Sequence, residues 1–327
     1  MNIKSKISLF LNFVIILFLF LNGCGNTFDS NDYEPLQNYT GSSSENESVD
    51  SEAFSIILLP DTQYYSLDYP NLFTGQTSWA VDNKEELNIE MVLHEGDLTH
   101  KNTDEEWENA VNSMSVLDGI IPYVICIGNH DDDTNRDTIR FNIHFLATGY
   151  KDQVTMAGIF EANKLDNSYH FIEAGGIDWM IISLEYDPRS EVLEWANRMV
   201  STYKKRKVIL LTHAYLMPGN KRGSIGNNIW DNFVRYHENI VMTFNGHYTD
   251  DVGSRLVSTG DNGNKVYQIF ANYQNELCGG QGLLRIVQID PVNKTLSVRT
   301  YSTWMNNYLE DDTNQFEYLD VDFLNID

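Results

Sequence analysis

Cysteines and basic residues are scarce in this chain of 327 residues. It contains 3 cysteines, and its 22 lysines and arginines are outnumbered by 47 aspartates and glutamates. So few cysteines argue against a disulfide-rich scaffold and against a cysteine zinc site, because both need several cysteines at close spacing. The net charge of −25 argues against nucleic-acid binding, since phosphate backbones are bound mainly through lysine and arginine.

The cysteines beyond the N-terminal region carry no recognisable motif. Cys126 lies within an apolar run and is best interpreted as a small buried hydrophobic side chain. A disulfide between Cys126 and Cys278 would be permitted in an oxidising compartment, but the sequence alone does not show that the two meet.

Long apolar runs are also lacking, apart from Ile7 to Leu21, which is shorter than the about 20 residues of a spanning helix. Lys4 and Lys6 precede this run, so residues 1–23 read as an export signal. The ending Leu-Asn-Gly-Cys24 resembles the bacterial lipobox, which implies cleavage before Cys24 and a lipid anchor on its sulfur. We therefore expect an extracytoplasmic protein anchored to the bacterial membrane; the alternative is an uncleaved membrane anchor.

Residues 24–52 follow the signal and read as a flexible acidic tether. From Gly25 to Glu52 the chain is rich in serine, asparagine and acidic residues and has no lysine or arginine. Such a composition does not bury enough apolar surface to offset chain entropy. The remainder, residues 53–327, shows no linker and no internal repeat, so we expect one large domain.

The pattern of this domain begins with alternating strands and helices and then turns to strands. A capping box, Thr103 to Glu106, opens one predicted helix, and Gly175-Gly176 joins a predicted hairpin. The sequence predicts an α/β fold of two mixed β-sheets flanked by helices, a four-layer α-β-β-α sandwich. The predicted strands are Phe54–Leu59, Ile89–Leu93, Pro122–Gly128, Ser168–Ile172, Ile177–Leu184, Lys207–Leu211, Ile240–Phe244, Val266–Ala271, Leu283–Ile289, Leu296–Tyr301 and Phe316–Phe323, and the predicted helices are Thr77–Leu87, Thr103–Leu117, Glu191–Tyr203 and Asn228–His237.

Several strands end in side chains that bind metals. The clearest is Ile125-Cys126-Ile127-Gly128-Asn129-His130-Asp131, in which an apolar run stops at a glycine and delivers an amide, an imidazole and a carboxylate. Sites in α/β sheets form beyond the carboxyl ends of strands. The sequence therefore predicts a metal centre assembled from scattered segments. The other segments with this pattern end at Asp61-Thr62-Gln63, Gly96-Asp97, Thr212-His213 and Gly246-His247.

The order Asp-x-Gln, Gly-Asp, Gly-Asn-His-Asp, Thr-His, Gly-His closely resembles the calcineurin-like metallophosphoesterase superfamily. The resemblance extends over nearly all of Ala53 to Tyr301. The later Asn272-Tyr273-Gln274, followed by Gly279-Gly280 and a strand, is similar to the secreted branch of that family.

The resemblance implies a role for each metal ligand. Asp97 would bridge two divalent metal ions, of Mn, Fe, Zn or Mg type. Asn129, His213 and His247 would complete one metal site, and Asp61 would begin the other.

The resemblance also implies hydrolysis of a phosphate ester by a metal-activated water. His130 would protonate the leaving oxygen as general acid, and Asp131 would fix the orientation of His130. An imidazole suits proton transfer near neutrality.

This sequence departs from the family pattern at two positions that belong to one metal site. Gln63 replaces the usual histidine of the first motif, and Thr249 replaces the second histidine of the last motif, with Asp250 following it. With Gln63 and either the Thr249 hydroxyl or Asp250 as oxygen ligands, this site would favour a harder ion or bind more weakly than its neighbour.

Other polar residues have simpler interpretations. His94 and His100 flank the Gly-Asp motif and are candidates to support the ligands, whereas Glu95 reads as a turn carboxylate. Lys221 and Arg222 are candidates to hold an anionic substrate group, the alternative being a solvated loop.

We therefore expect a monomeric, metal-dependent phosphoesterase acting on a small phosphorylated substrate. The alternatives are a surface lipoprotein without turnover, impaired by Gln63 and Thr249, and a glycosidase using paired carboxylates.

Overall fold

The computed structural model describes residues 53–133, 136–250 and 252–323. The predicted export signal, residues 1–23, and the predicted tether, residues 24–52, lie outside the described residues. No helix within the described ranges combines the length and the apolar character needed to cross a bilayer.

The described chain alternates strands and helices in its first two thirds and is mostly strands thereafter. In chain order the strands are β1 (Phe54–Leu59), β2 (Ile89–His94), β3 (Tyr123–Ile125), β4 (Met156–Ile159), β5 (Ser168–Ala174), β6 (Ile177–Leu184), β7 (Lys207–Thr212), β8 (Leu216–Met217), β9 (Lys221–Arg222), β10 (Ile240–Asn245), β11 (Gly253–Thr259), β12 (Lys265–Ala271), β13 (Leu283–Asp290), β14 (Thr295–Ser302), β15 (Asn307–Leu309) and β16 (Gln315–Tyr318). The α-helices are α1 (Gln63–Asp68), α2 (Pro70–Asp82), α3 (Asp104–Met114), α4 (Ile139–Leu146), α5 (Ser190–Thr202), α6 (Ser224–Asn232) and α7 (Leu277–Gly280).

Within the described ranges the strands form two large mixed sheets and one small hairpin. The first sheet has the order β15-β14-β13-β1-β2-β3, with β16 also paired to β14. The second has the order β11-β12-β10-β7-β6-β5-β4, and β8 pairs with β9. Both large sheets are mixed, because β1 is parallel to β2 and antiparallel to β13, and β7 is parallel to β6 while β6 is antiparallel to β5.

The two sheets pack face to face over one apolar core. Ile56 and Leu58 of β1 point into it, as do Ile209 and Leu211 of β7. Successive side chains on a strand point to opposite faces, so Ile57 faces away from this core even though it too is buried.

Helices cover the outer faces of both sheets. Trp79 of α2 stacks on Tyr301 of β14, with ring centroids 4.9 Å apart. On the other side, Val192 and Trp195 of α5 pack in a second core with Leu210 of β7. The predicted fold of two mixed sheets flanked by helices is confirmed.

Parallel pairing brings the carboxyl ends of the central strands to a common edge. Leu59 of β1 is in register with His94 of β2, and His94 with Ile125 of β3. In the second sheet, β10 runs parallel to both β7 and β12. Each segment that carries a predicted ligand follows the carboxyl end of one of these strands.

Local structure differs from the sequence prediction in several places. The helix expected from Thr77 begins instead at Pro70, because proline suits the first turn of a helix. The strand expected to reach Gly128 pairs only as far as Ile125, and the last predicted strand ends at Tyr318. The capping box is confirmed, since Thr103 Oγ1 accepts from the backbone N–H of Glu106. Helix α4 and strand β11 were not predicted.

Cys126 is a buried free thiol, so it does not form a disulfide with Cys278. Burial raises its pKa well above the usual range, which favours the neutral thiol. Its interpretation as a small core side chain agrees with this placement.

Candidate metal centre

Two glycines let the strand ends approach each other closely. A Cβ on Gly128 would lie 2.0 Å from Asp97 Oδ1, and a Cβ on Gly96 would lie 2.6 Å from His213 Nδ1. Gly96 also has a φ of 95°, which side chains with a Cβ rarely adopt. The loop after β2 therefore approaches the loops after β3 and β7 this closely because both positions lack a side chain.

Asp97, His213 and His247 form a cluster whose candidate ligand atoms all lie within 4.8 Å of one another. His213 Nε2 lies 3.2 Å from Asp97 Oδ2 and 3.2 Å from Asn129 Oδ1. His247 Nδ1 lies 3.2 Å from His213 Nε2. Two imidazole nitrogens and two oxygens thus converge from both sheets, and such a mixed donor set fits a cation of Zn, Mn or Fe type.

The ring of His213 is held in one orientation by a backbone contact. Its Nδ1 lies 2.8 Å from the carbonyl oxygen of Glu95, and only an N–H can donate there. This contact assigns a proton to Nδ1, so Nε2 is the ring atom that faces Asp97 and Asn129. Metal-binding histidines are commonly fixed in this way by a carbonyl or carboxylate.

The electrostatics of the cluster also favour a bound cation. Burial lowers the pKa of the His213 imidazolium, but the carboxylates of Asp97 and Asp61 outweigh burial and raise it to about 10. Burial would raise the pKa of Asp97, but the charge of His213 outweighs it and holds that pKa below its usual value. A protonated His213 therefore supplies positive charge to the two carboxylates. A metal ion bound at the cluster would supply that charge in its place.

His130 lies beside the cluster and is held by backbone contacts. Its backbone N–H donates to Asp97 Oδ1 at 2.9 Å. Its ring Nδ1 lies 2.8 Å from the carbonyl oxygen of His100, so Nδ1 carries a proton and Nε2 is the atom left for chemistry. The His100 ring stacks on the His130 ring, with centroids 5.1 Å apart and an interplanar angle of 16°.

Asp131 does not orient the His130 ring, contrary to the expectation from sequence. Among the described residues its carboxylate accepts from the backbone N–H groups of Leu98, Thr99 and Gly128, at 3.1, 2.9 and 3.0 Å. Asp131 is fully buried and ties the loop after β2 to the loop after β3. The carbonyl of His100, and not Asp131, hydrogen-bonds to the His130 ring.

The comparison with known families agrees with this site. The family model described as calcineurin-like phosphoesterase matches residues 54–249, which contain every ligand of the cluster. The chain belongs to the calcineurin-like phosphoesterases. Members of this family are metal-dependent, and the cluster of Asp97, His213 and His247 is the candidate metal-binding triad of this one.

A protein of Bacillus subtilis is similar to most of this calcineurin-like phosphoesterase. It is 33% identical over 271 residues to the protein described as the uncharacterized protein YvnB of Bacillus subtilis (strain 168). That match covers 80% of this chain but only 21% of the relative, so the chain spans about a fifth of that protein's length.

Solved structures share the fold. A purple acid phosphatase, PPD1, from seeds of yellow lupin (Lupinus luteus) superposes with a TM-score of 0.56 and 13% identity, covering 84% of this chain and 55% of that chain. GAP50, described as the anchor in the inner membrane complex of Plasmodium, superposes with a TM-score of 0.51 and 10% identity, covering 83% and 90% of the two chains.

Asp61 lies beside the triad of this phosphoesterase, but amides and backbone surround it. The backbone N–H of His247 lies 3.2 Å from each Asp61 carboxylate oxygen, and Asn272 Nδ2 donates to Oδ2 at 2.8 Å. Burial raises the pKa of Asp61 to about 8. Gln63 is buried next to it and hydrogen-bonds to Gln274.

Thr249 is exposed, and its backbone carbonyl accepts from Asn275 Nδ2 at 3.2 Å. No described hydrogen bond joins the Thr249 hydroxyl to Asp61 or Asp97, and Asp250 is exposed as well. The side chains that contact Asp61 and Gln63 are instead Asn272 and Gln274, respectively. The Asn-Tyr-Gln motif signalled these residues in the sequence, but their roles were not predicted.

One further residue at the site, Tyr186, was not predicted from the sequence. The ring of Tyr186 lies near both imidazoles, 5.8 Å from His213 and 5.2 Å from His247 between centroids. Glu95 lies in the loop after β2, in agreement with its interpretation as a turn carboxylate, and it is fully buried; burial raises its pKa well above the usual range. His94, a candidate to support the ligands, lies under the loop of Asp61, because its Nε2 is 2.8 Å from Thr62 Oγ1.

The predicted anion-binding pair is engaged elsewhere. The Arg222 guanidinium lies over the Trp230 ring, 4.0 Å from its centroid, and donates to Ser258 Oγ at 3.1 Å. Lys221 is exposed in the small β8–β9 hairpin. Lys221 therefore agrees with the alternative interpretation, a solvated loop, whereas Arg222 is half-buried and packs on Trp230.

Proposed function

We propose that this protein hydrolyses a phosphate ester in a reaction that needs a divalent metal ion. One observation carries the proposal: the imidazoles of His213 and His247 converge with Asp97 and Asn129, and His130 lies directly beside them. A protein that only binds a ligand has no need of a proton donor beside a metal-type cluster.

Asp97, Asn129, His213 and His247 are the residues that would hold the ion. When bound there, a divalent ion lowers the pKa of a coordinated water and offsets negative charge on the phosphoryl group. We propose that this ion is Mn, Fe, Zn or Mg.

His130 acts on the leaving group. As an imidazolium it gives the proton on Nε2 to the ester oxygen while the phosphorus–oxygen bond breaks, so the product leaves as a neutral alcohol. The carbonyl of His100 accepts a hydrogen bond from Nδ1, so Nε2 is the ring atom that transfers the proton. Such a positioned acid contributes about 10²–10⁴-fold to rate.

The substrate we propose is a small phosphorylated molecule, monoester or diester. A cavity of about 240 Å³, lined by Ile127, Tyr186, Arg136 and Asp132 among others, lies beside the centre. This volume is below the about 300–1,000 Å³ typical of drug-sized ligand sites. The net charge of −25 disfavours nucleic acid, and we propose that the protein acts as a monomer.

The alternative is a surface protein that keeps the fold without turnover. GAP50 shares the fold and is described as an anchor, so this fold occurs in a protein described by an anchoring role. The presence of Gln63 where the family pattern has a histidine also supports this alternative, because it removes one metal ligand.

One experiment separates these functions. Full-length protein is assayed on a panel of phosphomonoesters and phosphodiesters with Mn²⁺ or Mg²⁺, with and without EDTA, beside Asp97→Asn. Hydrolysis that EDTA and Asp97→Asn both abolish supports the proposal. No hydrolysis of any ester by metal-loaded protein supports the alternative and contradicts the proposal. EDTA-resistant cleavage of glycosides would favour a glycosidase and contradict it as well.

We also propose that the protein is lipid-anchored outside the cytoplasm through Cys24. The support is the sequence Leu-Asn-Gly-Cys24 after an apolar run. Labelled palmitate should be incorporated by the wild type and not by Cys24→Ser. Equal labelling of both would contradict the anchor.

A further inference from the structure

Gln63, which was expected to help bind a second metal ion, hydrogen-bonds to another glutamine next to Asp97. Gln63 Nε2 donates to Gln274 Oε1 and lies 3.5 Å from Asp97 Oδ2. Both glutamines are buried. An amide NH₂ directs its hydrogens at its neighbours, so Gln63 presents a donor to Asp97 at the place where a cation would require an acceptor.

The oxygen of Gln63 is engaged on its other side. Gln63 Oε1 lies 2.9 Å from His100 Nδ1. His100 in turn stacks on His130 and accepts through its carbonyl from His130 Nδ1. Gln63 is thus the first member of a chain of contacts that ends at the proposed general acid.

Asp61 is also occupied by protein groups. Its carboxylate accepts from the His247 backbone and from the Asn272 amide. A divalent ion needs four or more ligands in a protein site. For a second metal ion bound by Asp61, the side-chain ligands would be Asp61 itself and an oxygen of Asp97. The triad already uses Asp97.

We propose that this chain holds one tightly bound divalent ion, and that the Gln63–Gln274 pair takes the place of a second and positions His100 under His130. The ion is the one held by Asp97, Asn129, His213 and His247, so the inference rests on the proposed function. It replaces the sequence-based expectation of two metal ions. Gln63 is here a positioning residue and not a metal ligand.

The test is metal stoichiometry. Full-length protein in detergent is stripped with EDTA, titrated calorimetrically with Mn²⁺ or Zn²⁺, and measured for retained metal by mass spectrometry after dialysis. We expect about one ion per chain for the wild type and for Gln63→Ala. Asn129→Ala, the matched amide variant on the triad side, should weaken binding by at least the roughly 10–100-fold that loss of a supporting group costs.

The isosteric Gln63→Glu gives the complementary result. A carboxylate in the same place offers an oxygen toward the position beside Asp61, so this variant should bind a second ion. Near-ultraviolet circular dichroism checks the fold of each variant, and Gln274→Ala replaces Gln63→Ala if the latter does not fold.

Two equally tight ions in the wild type, or loss of one ion in Gln63→Ala or Gln274→Ala, would overturn the inference. That result leaves the proposed hydrolysis intact, because activity is measured separately. Conversely, a stoichiometry of one with no hydrolysis of any ester contradicts the proposed function alone.

Discussion

At the scale of single residues, His130 and His170 show how the same side chain serves different ends. His130 is partly exposed beside the metal cluster, with its Nδ1 fixed by a carbonyl. His170 is fully buried in β5, where its Nε2 lies 3.2 Å from Ser168 Oγ and its ring lies near the Tyr150 ring. The first is placed to exchange protons, and the second is kept neutral.

Replacing His130 tests its proposed role as an acid. His130→Ala should lower kcat by about 10²–10⁴-fold on alkyl phosphate esters, because their leaving oxygen needs a proton. The loss should be much smaller on a p-nitrophenyl ester, whose leaving group departs as a stable anion. His237→Ala is the matched control, since His237 is half-buried and hydrogen-bonds to Asn197. An equal loss on both ester classes would argue against proton donation.

Replacing His170 tests its effect on acid stability. Burial lowers its folded-state pKa to about 3 from an ordinary value of 6.5, so the unfolded chain binds a proton that the folded chain does not in the pH range between them. Stability is therefore lost as pH falls below about 6.5, by about 2 kcal/mol between pH 7.5 and pH 5.

His170→Phe keeps a flat ring and removes this titration. Urea unfolding at both pH values should show a smaller acid loss than the wild type by about 2 kcal/mol. Any packing cost of phenylalanine is present at both pH values and cancels in the difference. An unchanged pH dependence would contradict the account.

At the scale of elements, the sequence predicted most of the central strands, but it predicted the loops after them only in part. Apolar runs followed by a polar residue of metal-binding type predicted β1, β2, β7 and β10 and their ligands, because burial on both faces leaves a continuous apolar signal. Parallel ends then bring the ligands together by topology alone.

Side-chain directions within those loops did not follow from sequence. Asp131 adjoins His130 in the chain but bonds to backbone N–H groups of two loops. Thr249 follows His247 by two positions but is exposed, whereas Gln274 arrives from beyond β12. Such placements depend on contacts between distant segments, which no local pattern encodes.

The glycine at the end of the β3 segment gives a prediction at this scale. In Gly128→Ala the new Cβ would clash with Asp97, so we expect a destabilisation of about 1–3 kcal/mol and loss of tight metal binding. Gly75→Ala in α2 is the matched control: its Cβ would meet nothing closer than Thr303 Oγ1 at 4.0 Å, and alanine should stabilise the helix by about 0.5–1 kcal/mol. Urea unfolding and metal titration check both, and an unaffected Gly128→Ala would contradict the proposed loop contact.

At the scale of the whole molecule, the candidate metal centre joins the two sheets at one edge. Asp97 and Asn129 follow strands of the first sheet, and His213 and His247 follow strands of the second. The apolar core between the sheets positions these loops, and the net charge of −25 makes a cation at their meeting point favourable.

The most direct measurement is anomalous diffraction at the metal absorption edge from crystals grown with Mn²⁺ or Zn²⁺. The account predicts a peak at bonding distance, roughly 2.0–2.3 Å, from donor atoms of Asp97, Asn129, His213 and His247. A metal-loaded crystal with its peak elsewhere, or with none among these four side chains, would contradict it.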